Sequence, residues 1–355
     1  MVMQKLIAAV QPESYVAKIG RDLIMPILFV HGVSSRIQNG HDQTWETIRN
    51  NLKNVVAPKI SKDGKGDNVW IKEAYWGDDS VDFGDLRLSL PTPEVMQKLT
   101  SQKSSWLKRQ LLEGRDSPNK LEFAKSFFSR APKKLWNLTG HQFTRAIDPF
   151  RTQLNKETTL FLGDVFYYLS RRGEANSPGA ITNELLFKLK EAHENKLQRD
   201  NEPLIVMSHS MGGQLVYDMV TYFLPEMVKI PEYQDCEKIY IDFWVAAASQ
   251  VGLFKEMKVF KEDINSKQTS IPVLFPSKHL GIWWNLWDCN DYLSFTVNPF
   301  VEEVFDDMYD SGNPATTAHT AYFDDQDFYQ ELALYINKAK DSKWNRKEFI
   351  RVLTT

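Results

Sequence analysis

The stretch that most limits the fold is residues 203–213, PLIVMSHSMGG. Residues 204–207 are an unbroken apolar run, which suits a strand buried on both faces. Small and polar residues follow at once. Then Leu215, Met219, Val220 and Phe223 mark one face of a helix. A strand that passes to a helix through so short a turn pushes out the residue at the bend, Ser210. The backbone there must be strained, and the positions two before and two after must be small so that neighbouring segments do not clash. Those positions hold Ser208 and Gly212. The departing helix aims its first amides and the positive end of its dipole at the serine oxygen.

Other segments build the rest of such a sheet. Residues 27–30 (ILFV), 68–76 (NVWIKEAYW), 239–248 (IYIDFWVAAA) and 271–275 (IPVLF) are strand candidates. Trp45, Ile48, Leu52 and Val55 recur at helical spacing over 44–56, as do Phe328, Leu332, Tyr335 and Ile336 over 327–340. Strands alternating with helices predict an α/β fold, a mainly parallel sheet with helices on both faces. No internal repeat or low-complexity tract interrupts the pattern.

One segment differs in kind. Residues 98–151 carry twelve Lys and Arg against four Asp and Glu, a local charge of +8 in a chain whose net charge is −3. Trp106, Phe123, Phe127, Phe128, Trp136, Phe143 and Phe150 are interspersed among them. This predicts a helical lid or cap over 87–160, inserted into a core made of 1–86 and 161–355. The surface of such an insertion is either a solvated charged face or a peripheral contact with an anionic or apolar surface such as a membrane.

The bend at 208–212 resembles the nucleophile elbow of the α/β-hydrolase superfamily, whose pattern is G-x-S-x-G, with Ser208 standing where the first glycine is usual. The likeness extends to Ile27–Val33, ILFVHGV, which resembles the early strand of that superfamily that ends in His-Gly. The style of both segments is nearest to serine lipases and esterases. The resemblance implies that Ser210 is the nucleophile and that the amides of Val33 and Met211 form the oxyanion hole. It gives His31 a structural place in the loop. The superfamily order is Ser, then Asp or Glu, then His before the last helix. His319, in PATTAHTAY, fits the base. His279 precedes every acid candidate and does not. Asp288 and Asp291 both lie in the acid window. The run Asp291-Tyr292-Leu293-Ser294 resembles the expected tight turn better, so Asp291 is favoured, and the other is expected to cap a loop. Trp283, Trp284 and Trp287 beside the acid, and the aromatics of 163–169, suit packing better than a substrate wall.

The resemblance thus implies a serine hydrolase of carboxylic esters, with a lipid or phospholipid substrate suggested by the basic, aromatic insertion. Two rivals remain open on the same residues: an amidase or thioesterase, and a non-catalytic binding or regulatory relative. The near-neutral charge argues against nucleic acid as a partner. HExxH, P-loop and GxGxxG patterns are absent, so no metal and no cofactor is expected. Cys236 and Cys289 show no CxxC or zinc spacing and suit reduced thiols. The apolar run at 6–10 is shorter than the roughly 7–15 residues of a signal-peptide core. No stretch approaches the roughly 18 apolar residues of a membrane span. A cytoplasmic location, peripheral at a membrane if the basic segment binds one, is the expectation.

Overall fold

The computed structural model describes residues 25–32, 41–61, 64–66, 69–79, 161–198, 202–265, 272–313 and 317–354. Val33, the insertion expected over 87–160 and its basic segment 98–151 lie outside them. The chain divides into two compact units, Met1–Ser80 with Tyr167–Thr355, and Val81–Phe166. The sheet and the site belong to the first.

Six strands form one sheet: β1 (Ile27–Val30), β2 (Ile71–Ala74), β3 (Ile205–His209), β4 (Ile241–Ala247), β5 (Leu280–Asp288) and β6 (Phe305–Tyr309). Their spatial order is β2-β1-β3-β4-β5-β6, and every neighbouring pair is parallel. Parallel pairing requires a crossover between strands; helices lie in the crossovers that join β1 through β5, and a loop over 289–304 joins β5 to β6. Those used below are α1 (His41–Asn51), α2 (Ala180–Gln198), α3 (Gly212–Asp218), α4 (Val251–Met257), α5 (Ala318–Ala321), α6 (Gln326–Asp341) and α7 (Arg346–Thr354).

Side chains alternate across the strands, so each strand feeds two cores. Phe29, Met207, Val245 and Trp284 join a buried cluster with Ile48 and Leu52 on one side of the chain and Phe328, Leu332 and Ile336 of α6 on the other. On the second face the rings of Trp244 and Trp283 stack at 4.2 Å and meet Tyr217 of α3. Burial of both faces explains why β1 and β3 read as unbroken apolar runs. At about 1.5–3 kcal/mol for each large apolar side chain buried, these two layers dominate the stability of the unit.

Two expectations need correction. The strand expected at 271–275 is reduced to a single bridge between Val273 and Val301. Pro272 has no N–H to give a ladder, and Leu274 is 73 % exposed. The strand instead is β5, running through Trp283, Trp284 and Trp287. Its buried Asn285 hid it. The Asn285 amino group donates to the carbonyl of Phe295 at 3.0 Å and to Asp306 at 2.6 Å. Edge strand β6 (FDDMY) was not foreseen, because two aspartates interrupt its apolar pattern. Asp306 also accepts from the amides of Val297 and Asn298, which offsets its burial.

The strand order reverses direction between β1 and β3, and in parallel sheets the crevice at the carboxyl ends of such a pair is where ligands bind. The two strands are held close there. A methyl group on Gly212 would run into the carbonyl oxygen of Val30. Gly212→Ala is therefore expected to lower the unfolding free energy by about 2–3 kcal/mol, as overpacking does, measured by urea denaturation. An unchanged midpoint would mean that β1 yields without cost.

Candidate active site

The bend after β3 is tight. Ser210 has φ +52°, a left-handed conformation that costs a non-glycine residue on the order of 1–3 kcal/mol. Neighbouring groups hold it there. The Ser210 amide donates to the Ala247 carbonyl at 3.0 Å, and its own carbonyl accepts from Gly213 at 3.0 Å. A Cβ at Gly32 would stand 2.6 Å from that of Ser210, so the segment just after β1 needs glycine there for the bend to fit. Ser208, the departure from the usual glycine, has a partner: its hydroxyl accepts from the Trp244 indole at 2.8 Å. Met211 opens α3, where the first amides have no intrahelical acceptor.

Ser210, His319 and Asp291 stand in one chain of hydrogen bonds. The Ser210 hydroxyl is 2.9 Å from His319 Nε2, and His319 Nδ1 is 2.8 Å from Asp291 Oδ2. A carboxylate only accepts, so Nδ1 carries the proton and Nε2 receives the serine hydroxyl. Ser210 and Asp291 are buried, whereas His319 is partly exposed. Asp291 lies in the turn after β5, and its second oxygen accepts from the Leu293 amide at 2.9 Å. Asp288 is spent on the loop, taking the amides of Asn290 at 2.7 Å and Ser311 at 3.1 Å.

Two more histidines support this edge without sharing in the chain. His209 is buried and donates from Nε2 to the His319 carbonyl at 2.7 Å, fixing the backbone of α5. Burial holds its pKa down at about 3. His31 stacks on Trp76 and accepts that residue's amide on Nε2 at 3.1 Å. The Trp76 indole donates back to the His31 carbonyl at 2.9 Å. Burial holds the His31 pKa down at about 3 as well. His279 is buried at the start of β5, with Nδ1 on the Ile239 carbonyl at 2.9 Å. Trp283 and Trp284 lie inside the sheet.

Among the described residues, His31, His41 and Glu73 are close enough to share a cation. The lone pair of His31 Nε2 is already engaged by the Trp76 amide, and Nδ1 lies 3.1 Å from the Gly32 carbonyl. His41 and Glu73 satisfy one another at 2.9 Å. The arrangement is a hydrogen-bonded cluster and does not suit a metal.

Sequence reasoning missed Gln214 and Gln250. Gln250 follows β4 at the carboxyl edge, just past Ala248 with its φ of +53°, and its Nε2 lies 3.3 Å from the Ser210 hydroxyl. The one signal for it was position, since residues after strand ends in a parallel sheet face the crevice.

A family model described as lecithin:cholesterol acyltransferase matches residues 179–280. The chain is similar to that family over this stretch. It runs from α2 through the bend at Ser210 to the start of β5, and stops short of Asp291 and His319. No curated protein and no solved structure matches the chain. A six-stranded parallel sheet flanked by helices, with this match across its centre, is consistent with an α/β-hydrolase fold. No helix among the described residues is long and apolar enough to cross a membrane.

The two buried neutral histidines set a pH dependence. Below about pH 6.5 the unfolded chain protonates both, while the folded chain does so only near pH 3. Stability should therefore fall as pH drops through that window, by up to about 1.4 kcal/mol per pH unit for each histidine. His209→Asn keeps a donor but cannot titrate, and it should flatten the slope by about one histidine's share. Equal slopes in denaturant titrations of the two proteins would contradict a neutral His209.

Proposed function

We propose that this protein is a serine hydrolase acting on carboxylic esters, with lipid or phospholipid acyl esters as its substrate class. The observation that carries the reading is the continuous hydrogen-bond chain from Ser210 through His319 to Asp291, on a serine held in a left-handed bend.

The chemistry follows from the donor and acceptor roles. His319 Nε2 takes the hydroxyl proton as Ser210 Oγ bonds to the ester carbonyl carbon, and the carbonyl π electrons move onto oxygen. The oxyanion's donors in this reading are the amides of Met211 and, by the resemblance, Val33. Asp291 keeps the imidazole oriented and stabilises its charged form. Collapse breaks the bond to the leaving alcohol, which receives the proton from His319. Water, deprotonated by the same nitrogen, then attacks the acyl-serine, and the proton passes back to Ser210 as the acid departs.

Two observations support a lipid as the acyl donor. The matched family is named for an acyltransferase that uses lecithin and cholesterol. The segment 98–151 combines a charge of +8 with seven large aromatics, a composition suited to anionic headgroups and their interface. Through that composition the protein would make peripheral contact with a membrane. The family name also favours a second acceptor: an alcohol in place of water in the deacylation step yields acyl transfer with the same residues.

A fluorophosphonate probe should give one stoichiometric adduct, located by mass spectrometry on Ser210 and absent from Ser210→Ala. An unlabelled Ser210, in detergent or vesicles as well as in buffer, would sink the reading. Asp291→Asn should lower kcat on a soluble ester by roughly 10⁴-fold, whereas Asp288→Asn should leave it within several-fold. The reverse order would exchange their roles. The full chain should sediment with anionic phospholipid vesicles and be released by about 1 M salt, where screening acts over ~3 Å. Equal recovery with zwitterionic vesicles would refute the electrostatic contact.

A further inference from the structure

Gln250 is fully buried beside the serine, and its surroundings fix which way its amide points. Nε2 lies 2.6 Å from the Leu293 carbonyl, 2.8 Å from the Ala248 carbonyl and 3.3 Å from the Ser210 hydroxyl. Two carbonyls facing one end of a carboxamide require the amino group there. Oε1 then needs a donor, and Gln214 Nε2 supplies it at 2.7 Å.

This pair does more than fill space. Gln214 Oε1 is buried with no partner among the described residues, a costly arrangement that two apolar side chains would avoid. What the pair achieves lies at its far end. An amide N–H₂ can donate but not accept, so the Ser210 hydroxyl finds no acceptor on that side. Its proton is left to His319 Nε2, 2.9 Å away. The same amino group grips the Leu293 carbonyl, two residues beyond Asp291, and the Ala248 carbonyl, at the end of the strand whose Ala247 holds the Ser210 amide.

We propose that Gln250 is a positioning residue for Ser210: its carboxamide, locked by Gln214, presents the hydroxyl with no acceptor, so that its proton is left to His319, and ties the end of β4 to the turn that carries Asp291. The inference rests on the serine-hydrolase reading above. Without Gln250 the hydroxyl can rotate away and the acid turn loses its tie to β4. With a carboxylate in its place, the hydroxyl gains a competing acceptor and the imidazolium gains a stabilising charge.

The test uses the full chain as wild type, Gln250→Met, Gln250→Glu and Gln214→Leu. Fluorophosphonate labelling rates and the kcat and KM for p-nitrophenyl butyrate are measured per labelled serine, so that unfolded molecules do not count. Gln250→Met should lower the labelling rate and kcat by about 10–100-fold, in line with the cost of a misplaced reactive group, with KM little changed. Gln214→Leu, which removes the unmatched acceptor but leaves Gln250 Oε1 without its donor, should show a smaller loss in the same direction. Gln250→Glu should move the acid limb of the pH profile of kcat/KM upward, which a merely structural role would not do. Labelling of Gln250→Met and Gln214→Leu at the wild-type rate would overturn the inference, as would an unmoved acid limb in Gln250→Glu. An unlabelled wild type would instead remove the hydrolase reading itself, and this inference with it.

Discussion

The carboxyl edge of the sheet depends on one backbone constraint, the left-handed bend at Ser210. A serine does not adopt that conformation unaided. It is held by a hydrogen bond to the next strand and by the close approach of β1, where Gly32 leaves room for the serine's Cβ. The cost of the bend is met by the stacked apolar layers beneath it. Weakening the sheet would release the bend before it unfolded the core, because strained positions persist only where their surroundings over-determine them.

Parallel pairing places the remaining parts of the site. The strands β3, β4 and β5 end side by side, with Ser208 opposite Ala246 and Ala246 opposite Asn285. Segments that leave these ends therefore meet above the same edge. Ser210 follows β3, Gln250 follows β4, Asp291 follows β5, and His319 arrives on α5 after β6. Residues far apart in the chain become neighbours through strand order alone.

Several polar groups buried along this edge are matched across strands and loops. Ser208 answers the indole of Trp244, His209 answers the carbonyl of His319, and Asp306 answers Asn285 and two amides. Each match holds one loop or strand against another. An unmatched polar group in this low-dielectric setting would cost more than the bond returns, so the loops have little freedom to shift independently.

The parts whose cause is local could be read from the residues alone. An unbroken apolar run marks a strand buried on both faces, so β1 and β3 were legible, and β4 was legible from an apolar run that only Asp242 interrupts. The crowding of a strand-to-helix bend selects small residues at fixed offsets, so Ser210 was legible within PLIVMSHSMGG. The spacing of Phe328, Leu332 and Ile336 marked α6. The rest depends on partners distant in the chain. Gly281 and Asn285 break the pattern of β5, and only Asp306 and the Phe295 carbonyl make that asparagine acceptable inside a sheet. Asp288 and Asp291 look alike in a single chain, and the loop amides that take one leave the other facing His319. Gln250 had no pattern at all, because a carboxamide's role lies in the carbonyls and hydroxyl that other strands bring to it.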